Sequence, residues 1–151
     1  MLRALGVDLG TKRIGIALSN SERTLATPYC VIHRSKNTLD DYAQIIAIAN
    51  EWEASTLIFG LPISLDGTLG PAARKTNEEI QDIGKLTEID IETFDERFTT
   101  ITAERMLKEQ NKGRRKSRDL VDQIAASIIL QAWLDSQLKS KKIMTADVEN
   151  E

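Results

Sequence analysis

Apolar side chains along this chain change their spacing several times, and each change marks an element. Residues 2–8 form a mostly apolar run that ends at Asp8, which reads as a buried strand. Gly10-Thr11-Lys12 is a turn, and residues 13–19 alternate well enough to be the second strand of a hairpin. A third strand is expected over residues 29–34, after Pro28. Asn37-Thr38 can cap a helix running to about residue 53, with Tyr42, Ile45, Ile46 and Ala49 at helical spacing. Residues 56–59 are a short buried strand ended by Gly60, and residues 61–70, with Pro62 and Asp66-Gly67, are a loop. A second helix is predicted over 71–87 and a fifth strand over 89–94. A third helix starts at Thr99 or Thr100 and ends near Gln110; a fourth runs over 119–138. The polar tail, 139–151, is expected to fray outside a domain spanning residues 1–138.

A hairpin followed by helix–strand alternation predicts an α/β fold, a mixed sheet with helices on both faces. Sites in open α/β sheets form at the carboxyl ends of strands. Asp8, the 60–70 loop and Glu96 all follow such ends, so they are expected to be neighbours. Asp122 joins them from the fourth helix. At about 100° per residue it falls between Ile129 and Trp133, on the apolar side of the helix. A carboxylate buried there needs a cation or hydrogen-bond donors. Three acids from distant segments suggest a site for hard divalent cations. Each also has a plainer reading: Asp8-Leu9-Gly10-Thr11 makes a good turn, and Glu96 beside Arg97 suits a solvated helix start. Asp95 and Glu96 are adjacent in an extended segment, so only one of them faces the site.

Charge changes this picture by its distribution. The net charge is −3 over 151 residues. Of the 20 Lys and Arg, five (Lys112, Arg114, Arg115, Lys116 and Arg118) fall within residues 112–118. The remaining 15 face 23 Asp and Glu, so positive charge is concentrated in one loop. That suits a phosphate-facing patch on an acidic body, or a solvated connector. Thr11, Lys12 and Arg13 after the glycine turn, and Arg97 after Glu96, are further candidates for phosphate contact or for balancing acids. The hydrophobic fraction of 41% is that of an ordinary globular domain. No apolar run approaches the ~20 residues of a membrane span, and Asp8 interrupts the first apolar run, which argues against a signal peptide. The single Cys30 is compatible with a reducing cytoplasm. His33, the only histidine, reads as a satisfied structural residue, and Trp52 and Trp133 as core.

Four stretches together resemble a known family. They are Gly6-Val7-Asp8-Leu9-Gly10-Thr11-Lys12-Arg13-Ile14-Gly15-Ile16-Ala17, Gly60-Leu61-Pro62-Ile63-Ser64-Leu65-Asp66-Gly67, Asp95-Glu96-Arg97-Phe98-Thr99-Thr100, and the run from Val121-Asp122-Gln123 to Leu130. In this order they resemble the YqgF/RuvX proteins, described as pre-16S rRNA nucleases or Holliday junction resolvase-like proteins of the ribonuclease H-like superfamily. The resemblance implies a five-stranded mixed sheet with helices on both faces. It also implies that Asp8, Glu96 and Asp122 are catalytic and hold Mg2+ or Mn2+, as a pair of ions with Asp8 between them. Many nucleases of this superfamily present four acids; Asp95, Asp66 or Asp119 is a candidate for the fourth. The implied function is metal-dependent phosphodiester hydrolysis in the cytoplasm, processing the 5' end of pre-16S rRNA in ribosome biogenesis, in company with ribosome-associated factors. Resolution of branched DNA and a non-catalytic RNA- or ribosome-associated adaptor are the alternatives. A sugar-kinase or actin-like ATPase, suggested by Asp8-Leu9-Gly10-Thr11, needs a second domain and a second glycine-rich motif that this chain lacks.

Overall fold

The computed structural model describes the backbone of residues 2–99 and 115–149, and side chains over 2–99 and 119–144. Five strands, β1 (Arg3–Leu9), β2 (Arg13–Ser19), β3 (Ala26–His33), β4 (Ala54–Leu61) and β5 (Asp90–Asp95), form one sheet in the order β3-β2-β1-β4-β5. The β1–β2 and β2–β3 pairs are antiparallel; β1–β4 and β4–β5 are parallel. Helices α1 (Thr38–Glu51) and α2 (Pro71–Gly84) cover one face and α3 (Arg115–Glu149) the other. This is the mixed sheet with two covered faces that the pattern predicts.

Side-chain alternation divides the core in two. Leu5, Val7, Ile14, Ile16, Leu57 and Phe59 meet Tyr42, Ile45, Ile80 and Ile83 beneath α1 and α2. On the other face Ala4, Ala17 and Ile58 meet Ala125, Ala126, Ile129, Leu130, Trp133 and Leu134 of α3. That face is built from small residues because α3 lies almost on the strands. A Cβ on Gly15 would collide with the Asp122 carbonyl oxygen, and one on Gly60 would stand 2.5 Å from Ile129 Cδ1. The helix is therefore placed by the absence of side chains under it.

Several boundaries differ from expectation. β3 starts earlier, at Ala26, and tolerates Pro28 because it is an edge strand with a register shift opposite Ile16/Ala17. Asn37 caps α1 through its side chain, which accepts from Leu39 and Asp40 N–H. Thr99 is extended and closes a short 3-10 turn, Glu96–Phe98. The rest of the expected third helix lies outside the described residues, as do Lys112 and Arg114. Arg115, Lys116 and Arg118 belong to the start of α3, not to a loop. The tail is likewise corrected: α3 continues through 139–149, so the polar segment extends the helix.

Candidate active site

β1 carries Asp8 on the face covered by α3, two residues beyond Gly6 and directly across from Gly15. Asp122 rests above Gly15 through its backbone. On the other side of β1, the β4 register pairs Gly6 with Ile58 and Val7 with Phe59, which brings Gly60 to the level of Asp8. A Cβ on Gly60 would stand 2.8 Å from Glu96 Oε1. One row of the sheet thus carries Asp8 at its centre, with Asp122 over one neighbour and Glu96 over the other. All three carboxylates are buried, with Asp8 4%, Glu96 6% and Asp122 8% exposed.

Asp95 and Glu96 separate as the alternation predicts. Asp95 caps the 3-10 turn and accepts from Arg97 N–H at 2.9 Å and from the Arg97 guanidinium at 2.6 Å. The hydrogen bond from Arg97 holds the Asp95 carboxyl below the usual carboxylate range. Glu96 turns inward. Asp66 sits in the loop, fully exposed, and its hydrogen bonds from Thr68 lower its pKa. That loop does neighbour the strand end, since a Cβ on Gly67 would lie 3.4 Å from the Arg97 guanidinium.

The basic candidates divide. Thr11 and Lys12 are exposed on the turn after Asp8. Arg13 is engaged internally: its Nε donates to Asp122 Oδ2 at 2.5 Å and lies 3.8 Å from Asp119 Oδ1. Arg97 is likewise engaged with Asp95, and its guanidinium also lies over the Phe98 ring. His33 is half-exposed, and its Nε2 lies 3.1 Å from Asp119 Oδ2. Trp133 is in the core, and Trp52 is partly buried against Tyr29 and Arg3.

Sequence reasoning missed the residues that hold the turn after Asp8. The Arg34 backbone N–H donates to the Lys12 carbonyl, and its Nε to the Gly10 carbonyl at 2.8 Å. The same guanidinium grips Glu79 of α2 with two hydrogen bonds, and Glu79 accepts from Tyr42 of α1 at 3.0 Å. No local pattern announces such a clamp, because its members are 24 to 45 residues apart.

A model of the family described as "RuvX: Holliday junction resolvase" matches residues 2–136. The chain belongs to the RuvX family. Similar RuvX relatives bear the name "Putative pre-16S rRNA nuclease". One from Thermosynechococcus vestitus is 42% identical over 146 residues, covering 97% of this chain and 96% of the relative. One from Agrobacterium fabrum is 43% identical over 131 residues, covering 86% and 81%. Among solved structures, "T. thermophilus RuvC in complex with Holliday junction substrate" superposes with a TM-score of 0.58 at 10% identity, covering 91% of this chain and 96% of that one. The yeast mitochondrial Holliday junction resolvase Ydc2 gives 0.54 at 13%, covering 97% and 84%. These two likenesses establish a shared fold. Membership in RuvX makes the chain a nuclease, a hydrolase of phosphodiester bonds.

Membership in this nuclease family implies a divalent cation. Buried carboxylate oxygens on one sheet face are the hard donors such an ion takes, and in donor chemistry the residues fit. Among the described residues no three acids, histidines or cysteines stand close enough to hold an ion jointly. In this arrangement Asp122 is turned to Arg13.

Proposed function

We propose that Asp8, Glu96 and Asp122 are the catalytic carboxylates of this nuclease and that they hold Mg2+ or Mn2+, in a pair with Asp8 between. The observation that carries this reading is the burial of all three at one level of one sheet face. Bound there, the cations would lower the pKa of the attacking water and stabilise the leaving oxygen. The residues around them do the rest. Gly60 and Gly15 leave room for Glu96 and for α3, and α3 shields the carboxylates from bulk water. The Arg34–Glu79–Tyr42 clamp fixes the turn after Asp8. Thr11 and Lys12 stand exposed on that turn, where a phosphodiester backbone reaching Asp8 would pass. Residues 112–118 add backbone contacts that position the nucleic acid without reading its sequence.

The substrate we propose is structured precursor rRNA, trimmed at the 5' end of pre-16S rRNA in the cytoplasm with ribosome-associated factors. The names of the relatives support it. The family's own description favours a second reading, cleavage of branched DNA. Offering the purified protein a structured pre-16S fragment and a four-way DNA junction, each with Mn2+ and with Mg2+, separates them. We expect cleavage of the RNA. Paired cuts in the junction with intact RNA would establish the second reading, and no cleavage of either in any metal would point to a non-catalytic adaptor.

A further inference from the structure

Arg13 lies between two aspartates one turn apart on α3. Its Nε is 2.5 Å from Asp122 Oδ2, a close charge-assisted contact, and 3.8 Å from Asp119 Oδ1. Asp119 Oδ1 is buried and, among the described residues, accepts no hydrogen bond. A buried carboxylate oxygen without a donor is a costly arrangement, and here the Arg13 Nε, at 3.8 Å, is beyond hydrogen-bonding range by only about 0.6 Å. The second oxygen of Asp119 is already held, at 3.1 Å from His33 Nε2. His33 and Arg13 are cross-strand partners in the β2–β3 register, so both reach Asp119 from the same strand ends. Arg13 therefore has one seat taken and a second seat prepared.

We propose that Arg13 is a movable positioning residue: it holds Asp122 in the cation-free protein and transfers to Asp119 when a divalent cation takes Asp122. The proposal rests on the metal-binding reading of Asp122 given above. Without a cation, Arg13 neutralises a buried acid that lies near other acids, and it screens Asp119 from Asp122. A cation arriving at Asp122 competes for the same carboxylate. The vacant Oδ1 of Asp119 lowers the cost of that exchange, because the guanidinium leaves one acceptor for another and stays buried and paired. The backbone of Arg13 need not move, since it pairs with His33 of β3 and the next residue, Ile14, pairs with Leu9 of β1.

The test is a double-mutant cycle read by calorimetric titration of the full-length protein with Mn2+, with thermal melts in chelator as the check on folding. Asp119→Ala removes the second seat and should weaken Mn2+ binding about tenfold, the lower range for changes just outside a metal's own ligands. Arg13→Gln should bind Mn2+ at least as tightly as wild type while melting lower in chelator. In the Arg13→Gln background, Asp119→Ala should no longer change the affinity. If Arg13→Gln does not fold, Arg13→Lys serves in its place; lacking the planar fork it should shrink the Asp119 effect. Unchanged affinity in Asp119→Ala would overturn the exchange. An equal loss in both backgrounds would also overturn it, because Asp119 would then be a ligand itself. Absence of Mn2+ binding in wild type would remove the metal reading and this inference together, whereas binding with a flat cycle removes this inference alone.

Discussion

Asp8, Glu96 and Asp122 are each less than a tenth exposed, and they share one face of the sheet. Like charges gathered out of water oppose folding, and a site retained for its chemistry is commonly a weak point of the fold. Removing one charge without changing shape should relieve that strain. Asp8→Asn should therefore melt about 2–4 °C above wild type in EDTA, the shift expected for ~1 kcal/mol in a domain of this size. Added Mg2+ or Mn2+ should raise the wild-type melt more than the variant's, since a ligand of the native state stabilises it by mass action. An Asn variant that melts lower, with no metal effect on either protein, would make Asp8 a turn residue only. At this scale the sequence was informative about the acids and silent about their partners. The helical wheel put Asp122 on a buried face and strand ends located Asp8 and Glu96, but alternation said only that one of Asp95 and Glu96 faces the site, and the family resemblance chose Glu96. The Arg13–Asp122 contact joins residues 109 apart, and no periodicity records a pairing of that range.

Among elements, the turn between β1 and β2 depends most on distant support. Arg34 ties it to α2 through Glu79, and Tyr42 of α1 completes the group. Burial, then the hydrogen bond to Glu79 and its negative charge, push Tyr42 up to about 12. The folded state thus favours the protonated phenol. Its contribution to stability is full below the ordinary phenol value of 10.0 and declines as pH rises from there through about 12. The stability difference between wild type and Tyr42→Phe, measured by urea unfolding, should accordingly be constant below pH 10 and shrink toward pH 12. A difference independent of pH would mean that the Glu79 contact contributes nothing. Strands and the middle of each helix were legible because apolar spacing specifies them. The ends of α3 were not. Its first turn carries Arg115, Lys116 and Arg118, which oppose the helix dipole, and its last turns, 139–149, scatter a few apolar residues among Lys, Ser, Asp and Glu. Neither end shows the apolar stripe from which a helix is read.

On the scale of the whole molecule, an acidic chain must bring an anionic polymer to a site made of carboxylates. Positive charge concentrated in residues 112–118 answers that need, and it should govern affinity more than chemistry. Replacing Arg114, Arg115 and Lys116 with Ala should weaken binding to a similar degree across sequences. It should flatten the slope of log affinity against log salt by about 0.7 to 0.9 for each phosphate that is no longer neutralised. An unchanged slope would make the segment a solvated connector. The claim on which everything else depends is that three buried carboxylates perform metal-dependent hydrolysis of a nucleic-acid backbone. Single-turnover cleavage of a structured pre-16S fragment with Mn2+ tests it most directly, comparing wild type with Asp8→Asn, Glu96→Gln and Asp122→Asn, each shown to be folded and to bind the RNA. Wild type should cleave and stop in chelator, and every variant should lose at least about a hundredfold (roughly 3 kcal/mol of barrier). Wild-type rates in folded Asp8→Asn or Asp122→Asn would contradict the claim.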